Sequence, residues 1–279
     1  MNSNNIKKLS GDASFRKFFR NKDSVLVFCK KDKKSNLLIY DAVNRLLIKK
    51  NILAPKLISQ NYKNNFIEIE DFGDLTVLKQ LKKSKINKKY YYKKVLNILL
   101  KINKIKIRKQ KTFLNSYYKI PNYTNQKLLN EANLFLEWYL PKYIIGIKNK
   151  IIKKKLKKIF KKLIGKINYN KKVFVHRDFH VSNIMITQKG FGLIDSQDAI
   201  YGNIAYDLAS LIDDVRIKTS IKIKDFIFNE FMKVNISLDY KKLKNDFEIL
   251  SVLRNIKIIG IFTRLSIRDK KNQYLKLIP

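Results

Sequence analysis

The chain has 279 residues, 45% apolar and 30% charged, which is enough to bury a core and too apolar for a disordered tail. Its 61 Lys and Arg against 22 Asp and Glu give a net charge of +39, the balance of a polyanion-binding protein. The charge comes from 52 lysines and 9 arginines, alongside 39 isoleucines and 28 asparagines. Lys, Ile and Asn all have A/U-rich codons, so a nucleotide bias accounts for the lysines, and Arg, the residue suited to bidentate phosphate contacts, is scarce. One cysteine, Cys29, excludes an intramolecular disulfide and a cysteine zinc site. No apolar run reaches the ~18–20 residues of a spanning helix, and the first residues lack a secretory core. The expectation is a soluble cytoplasmic protein without a membrane partner.

In chain order, a short leader precedes Ser10-Gly11-Asp12-Ala13-Ser14. Small residues there let backbone amides approach phosphate oxygens, although a plain hairpin turn has the same composition. Apolar stretches at 15–19, 25–29 and 66–69 read as strands, with a helix over 37–50 between them. Ala54-Pro55 ends the helical pattern and begins an extended segment. Glu68, Glu70 and Asp71 form an acidic cluster before Gly73, where the texture changes. From 74 to about 171 the apolar spacing is helical. It includes Trp138 and Tyr139, which either line an acceptor cleft or pack a helix, and a lysine-laden helix over 151–167 whose lysines form a solvated face. Strand texture returns at 172–175, 184–186 and 191–194, and the pattern after Tyr206 is helical. Asp207 reads as the N-cap of the first of those helices.

The chemistry concentrates in Val175-His176-Arg177-Asp178-Phe179-His180-Val181-Ser182-Asn183 and in Ile194-Asp195-Ser196-Gln197-Asp198. Asp178 follows an apolar strand, Asn183 stands five residues on where the chain re-enters a strand, and Asp195 ends the next strand. Phosphoryl transfer from ATP needs a carboxylate to orient the acceptor hydroxyl, and hard oxygen ligands to hold Mg²⁺ on the phosphates. Asp178 suits the first role, Asn183 and Asp195 the second. Read singly they are turn residues and a strand-end cap, but their joint order and spacing match a kinase catalytic loop followed by a metal-binding aspartate.

The loop resembles the His-x-Asp-x-His-x-x-Asn pattern of the aminoglycoside phosphotransferase and choline kinase family. Residues 9–20, 68–74, 137–141, 194–202 and 206–211 resemble the bacterial kinases that phosphorylate the anomeric hydroxyl of N-acetylmuramate and N-acetylglucosamine in peptidoglycan recycling. The resemblance implies an α+β, protein-kinase-like fold. A small β-rich lobe (1–73) would bind nucleotide, and a larger helical lobe (74–279) would carry the catalytic and metal-binding loops. It implies ATP and Mg²⁺ as cofactors and a sugar hydroxyl as acceptor.

Asp178, His176 and Arg177 form the implied catalytic set, with His176 ordering the loop. Ser10 to Ser14, Lys30, Glu70 and Asp71 would bind nucleotide, the last two at a hinge that Gly73 frees. Asn183 and Asp195 would bind the metal; His180, Asp198, Trp138 and Tyr139 would meet the acceptor. The usual phosphate-anchoring lysine is replaced by Phe28, with Lys30 two residues on, and the helix over 37–50 offers Asp41 but no glutamate. An aminoglycoside, choline or another metabolite is the alternative acceptor. The helical region offers few acids for a cationic one: Glu131, Glu137, Asp213, Asp214 and Asp225. A catalytically weak nucleotide-binding or nucleic-acid-binding protein is the remaining alternative. Basic residues spread over every helix and loop argue against nucleic acid.

Overall fold

The computed structural model describes residues 6–9, 16–169 and 172–278. In chain order it runs β1 (Ile6–Leu9), β2 (Lys17–Asn21), β3 (Ser24–Phe28), α1 (Ser35–Lys49), β4 (Leu57–Asn61), β5 (Phe66–Glu70), α2 (Val77–Leu81) and α3 (Lys88–Asn103). A small hairpin, β6 (Lys109–Lys111) and β7 (Tyr117–Lys119), precedes α4 (Asn125–Leu134), a π-helical turn (Phe135–Tyr139), α5 (Leu140–Tyr143) and α6 (Gly146–Gly165). Then come β8 (Lys172–Val175), β9 (Ile184–Thr187), β10 (Gly190–Leu193), β11 (Ile200–Asn203), α7 (Ala205–Ile212), α8 (Ile221–Val234) and α9 (Tyr240–Asp269). By contacts the chain divides into two compact units, residues 1–121 with 178–200, and residues 122–177 with 201–279.

The first unit is built on an antiparallel sheet in the order β1-β2-β3-β5-β4. Strand alternation decides its faces. Val25 and Val27 point to one side and join Ile67 and Ile69 in a core closed by Leu37 and Tyr40 of α1. Leu26 and Phe28 point to the other side, where Phe28 packs on Phe66 at 4.8 Å. The unit also holds the hairpin β9–β10, in which Leu193 stands opposite Ile184. The 3-10 turn Ser196–Asp198 is tied to α1, because Ser196 Oγ donates to Asn44 Oδ1 at 2.5 Å.

The expected helical run from 74 to 171 is interrupted by the β6–β7 hairpin. Its residues carry no apolar alternation, and its turn is closed by backbone bonds (Thr112 N to Ser116 O at 2.8 Å, Asn115 N to Thr112 O at 3.0 Å) and by side chains. Thr112 and Ser116 hydroxyls bond at 2.8 Å, and Asn115 takes a left-handed φ of 60°, a conformation Asn tolerates.

In the second unit α9 is the central helix. Gly260 lets it approach the backbone where α4 passes into the π turn: a Cβ there would lie 2.4 Å from the carbonyl carbon of Leu134. Backbone cannot yield as a side chain would. We expect Gly260→Ala to destabilise the protein by about 1–3 kcal/mol, the cost of overpacking, measured as a lower urea midpoint at unchanged slope; an unchanged midpoint would refute the close approach.

The capping reading of Asp207 is corrected. It lies inside α7, fully buried, and Asn203 Oδ1 takes the Ala205 N–H at 2.9 Å instead. The Asp207 carboxylate accepts from the main-chain N–H groups of His176 (2.6 Å) and Arg177 (3.0 Å). A buried carboxylate holding two amides fixes the chain entering the loop at 178–183.

Candidate active site

Residues 178–195 form a loop, a strand pair and a second loop within the first unit. The main-chain oxygen of Asp178 accepts from His180 N at 3.1 Å and from Asn183 Nδ2 at 3.0 Å. A carbonyl demands a donor, so the Asn183 amide is oriented with Nδ2 toward Asp178 and Oδ1 away. Asn183 O in turn accepts from Ile194 N at 3.1 Å, extending the β9–β10 pairing by one step and bringing Asn183 beside the turn that carries Asp195. The loop, the amide and the second carboxylate are thereby ordered by backbone bonds.

Asp195 has φ 64° and ψ 39°, and Arg177 has φ 75°. Non-glycine residues in this region store about 1–3 kcal/mol each and cluster where function over-determines the backbone.

Both side-chain hydrogen bonds to Asp195 fall on Oδ1. Arg16 Nη2 donates at 2.6 Å and Gln197 Nε2 at 3.2 Å. Among the described residues, no hydrogen bond reaches Asp195 Oδ2 or Asn183 Oδ1, and the Asp195 side chain is 37% exposed. One carboxylate oxygen and one amide oxygen are thus left as acceptors on neighbouring backbone. That donor set is hard, oxygen-only and sparing of carboxylates, which fits Mg²⁺. Among the described residues no three His, Cys, Asp or Glu gather, so a soft-metal cage is not what these residues build.

The two histidines are inside the loop rather than on it. His176 is fully buried and His180 is 4% exposed. The His180 ring bonds Ser182 Oγ at 2.8 Å through Nδ1, and Asn183 Nδ2 lies 3.4 Å from Nε2. Asp178 is half-buried and Asp198 exposed; Asp198 Oδ2 accepts from Gln197 Nε2 at 2.8 Å. In the second unit the Arg177 guanidinium pairs with Glu131 and lies over the Tyr123 ring. Trp138 and Tyr139 lie in the π turn, both half-buried. Tyr139 stacks on Phe135 at 4.9 Å and packs on Tyr143 at 4.7 Å, an aromatic ladder at four-residue steps.

Of the expected nucleotide-binding residues, Ser10, Gly11, Asp12, Ala13 and Ser14 lie outside the described residues. Glu70 and Asp71 carry committed carboxylates: Lys189 Nζ is 2.6 Å from Glu70, and Arg20 pairs with Asp71 and with Asp74. Asp71 Oδ1 also takes the Gly73 N–H at 2.8 Å, where Gly73 adopts φ 77°. Hydrogen bonds donated to Asp74 and Asp71 push the Arg20 pKa up, and the Arg20 hydrogen bond pulls Asp74 below the usual carboxylate value. Lys30 is not brought to Asp195. It is exposed and lines a 500 Å³ hollow with Phe19, Leu26 and Phe28, on the sheet face opposite the core.

Arg16 is the residue that sequence reasoning passed over. It enters the core side of the sheet, 5% exposed, over the rings of Phe18 and Tyr40. The available signal was rarity: in a chain that writes nearly every cation as lysine, an arginine marks a place where fork geometry matters.

Residues 5–228 match the phosphotransferase enzyme family. The chain belongs to that family. It is 26% identical over 280 residues to the N-acetylmuramate/N-acetylglucosamine kinase of Pseudomonas aeruginosa, an alignment covering 97% of this chain and 79% of that one. The kinase of the same name from Neisseria meningitidis is 28% identical over 283 residues, covering 97% and 81%. Among solved structures, the ADP-bound aminoglycoside phosphotransferase APH(2'')-Ib superposes with a TM-score of 0.63 at 16% identity, covering 99% of this chain and 90% of that one. The fold is therefore protein-kinase-like, with an antiparallel sheet followed by a helical region, as the sequence predicts. Among the described residues no helix is long and apolar enough to cross a membrane.

Proposed function

We propose that this phosphotransferase is an ATP-dependent kinase of amino sugars, transferring a phosphoryl group to the anomeric hydroxyl of N-acetylmuramate or N-acetylglucosamine in the cytoplasm. The observation that carries the chemistry is the pair of open oxygens, Asn183 Oδ1 and Asp195 Oδ2, ordered by the same backbone bonds as Asp178. Asp178 orients the acceptor hydroxyl and takes its proton at a carboxylate oxygen as the bond to phosphorus forms. Asn183 and Asp195 would hold Mg²⁺, which when bound neutralises charge on the phosphates. Asp207, through the amides of His176 and Arg177, keeps the chain before Asp178 in register.

Two findings support the sugar. Relatives bearing the amino-sugar kinase name align with nearly all of this chain. The acids that would greet a cationic acceptor are also largely spent: Glu131 pairs with Arg177 and Lys257, Asp213 with Lys224, and Asp214 with Arg216. A neutral or anionic acceptor needs no such acids.

The test is ADP release over N-acetylmuramate, N-acetylglucosamine, other hexoses, choline and kanamycin, with phosphorus NMR of the product. A sugar 1-phosphate is expected; turnover of an amine with no sugar converted would replace this reading. Asp195→Ala is expected to lower kcat by about 10²-fold or more, the scale of losing an electrostatic partner of the transition state. Retained turnover in that variant would remove Asp195 from the site.

A further inference from the structure

In protein kinases a lysine on the third strand anchors the nucleotide phosphates and pairs with a glutamate on the following helix. Here neither residue exists at that place, and Phe28, which the resemblance puts there, points to the other face of the sheet. The core-facing positions of β3 are Val25 and Val27, followed by Cys29, and the facing residues of α1 are Leu37, Tyr40 and Asn44. A cation nevertheless occupies the space, and it comes from elsewhere in the sheet. Arg16, immediately before β2, lays its guanidinium 5.4 Å from the Tyr40 ring centroid and 5.5 Å from that of Phe18. Burial pushes the Cys29 thiol up and the Tyr40 hydroxyl up to about 12, and in both cases the Arg16 charge opposes the shift, consistent with its nearness to each.

The guanidinium forks. Nη2 reaches Asp195 Oδ1 and Nη1 reaches Gln197 Oε1, each at 2.6 Å. Gln197 Nε2 closes the triangle on Asp195 Oδ1 at 3.2 Å. Oδ1 is therefore held twice, and the carboxylate cannot rotate without breaking a part-buried, charge-assisted bond. Holding Oδ1 fixes where Oδ2 points.

We infer that Arg16 is the positioning residue of Asp195, and that it supplies from the start of β2 the positive charge that other kinases place on β3. The assignment rests on Asp195 as a metal ligand, the reading given above. It explains why the anchor position on β3 can be apolar and why Lys30 can face away: the charge is delivered from the neighbouring strand. It also explains a guanidinium here in a lysine-rich chain, since an ammonium cannot bridge Asp195 and Gln197 in one plane.

Calorimetric titration of ADP, in EDTA and again with Mg²⁺, separates the two roles without turnover. Arg16→Gln is expected to weaken ADP binding in EDTA by about 10- to 100-fold, the loss of one charged contact, and to diminish the strengthening that Mg²⁺ brings. Arg16→Lys is expected to recover most of the affinity in EDTA but not the Mg²⁺ increment, because the charge returns without the fork. Wild-type affinities in Arg16→Gln under both conditions would overturn the inference. If Arg16→Gln does not fold, as read by circular dichroism, Arg16→Lys decides: a full Mg²⁺ increment there overturns the inference, and a lost one sustains it. Asp195→Ala distinguishes failure of the metal site from failure of its support. If it keeps the increment, the metal-ligand reading fails. If it loses the increment while Arg16→Gln keeps it, only the role of Arg16 fails.

Discussion

Asp178→Ala is expected to lower kcat by about 10³-fold, within the 10²–10⁴ range of a positioned acid–base group, while leaving the thermal midpoint close to that of the parent. The separation of the two effects follows from which atoms do the holding. The bonds that order the loop at this residue go to its main-chain oxygen, from His180 N and Asn183 Nδ2, and alanine keeps that oxygen. The two amides just before it are held by Asp207, which the substitution does not touch. Removing the carboxylate therefore takes away the proposed acceptor for the hydroxyl proton and leaves these main-chain bonds in place. Asp178→Asn sharpens the result, since it preserves size and half of the polarity but cannot accept a full proton. Steady-state ADP release and circular dichroism on both variants check it. Turnover within tenfold of the parent in either would move the base elsewhere.

The loop over 178–183 was legible in the sequence because its ordering is local. Asp178, His180 and Asn183 are ordered by bonds spanning two to five residues, so the motif carries its own geometry. The β3 and β5 strands were legible because each is a short apolar-rich run set off by turn residues. The boundary read at residue 73 marks where the sheet ends, just after β5, whereas the compact unit continues to 121 and takes in 178–200. Contacts over long separations leave no periodic trace.

Arg16 shows the same limit most sharply. Its partner Asp195 is 179 residues away, and no window of sequence contains both. The β6–β7 hairpin escaped because its strands are three polar-rich residues each, set by a Thr–Ser hydroxyl pair and not by apolar spacing. The π turn escaped because helical periodicity tolerates one extra residue.

Glu131→Gln is expected to cost about 2–3 kcal/mol of stability at neutral pH, somewhat below the ~3–5 of breaking a fully buried pair. Glu131 sits between two cations, with Lys257 Nζ at 2.9 Å from Oε2 and the Arg177 guanidinium on Oε1, and Tyr123 donates its hydroxyl as well. The three ionised side chains are only 11–23% exposed. Glutamine keeps the shape and removes the Glu131 charge from beside both cations. The discount reflects that residual exposure, which lets water screen Arg177 in particular.

The sign of the pH dependence follows from the same contacts. Burial raises the Glu131 pKa, but Lys257 and Arg177 more than offset it and hold the carboxyl below its ordinary 4.5. A depressed folded-state value means stability that is fully present above the unfolded value and is lost as pH falls through the folded one. The gap between parent and Glu131→Gln should therefore be constant from pH 7 down to about 5 and shrink below 4.5, as urea midpoints at each pH would show. A gap that persists at pH 3 would mean the pair contributes nothing through charge. Catalysis should register the change too. Arg177 is the residue before Asp178, its left-handed backbone is held by Asp207 and its side chain by Glu131. Freeing the side chain loosens one of those two holds, so kcat should fall by a few-fold in Glu131→Gln, far less than in Asp178→Ala, with no change in the sugar preferred.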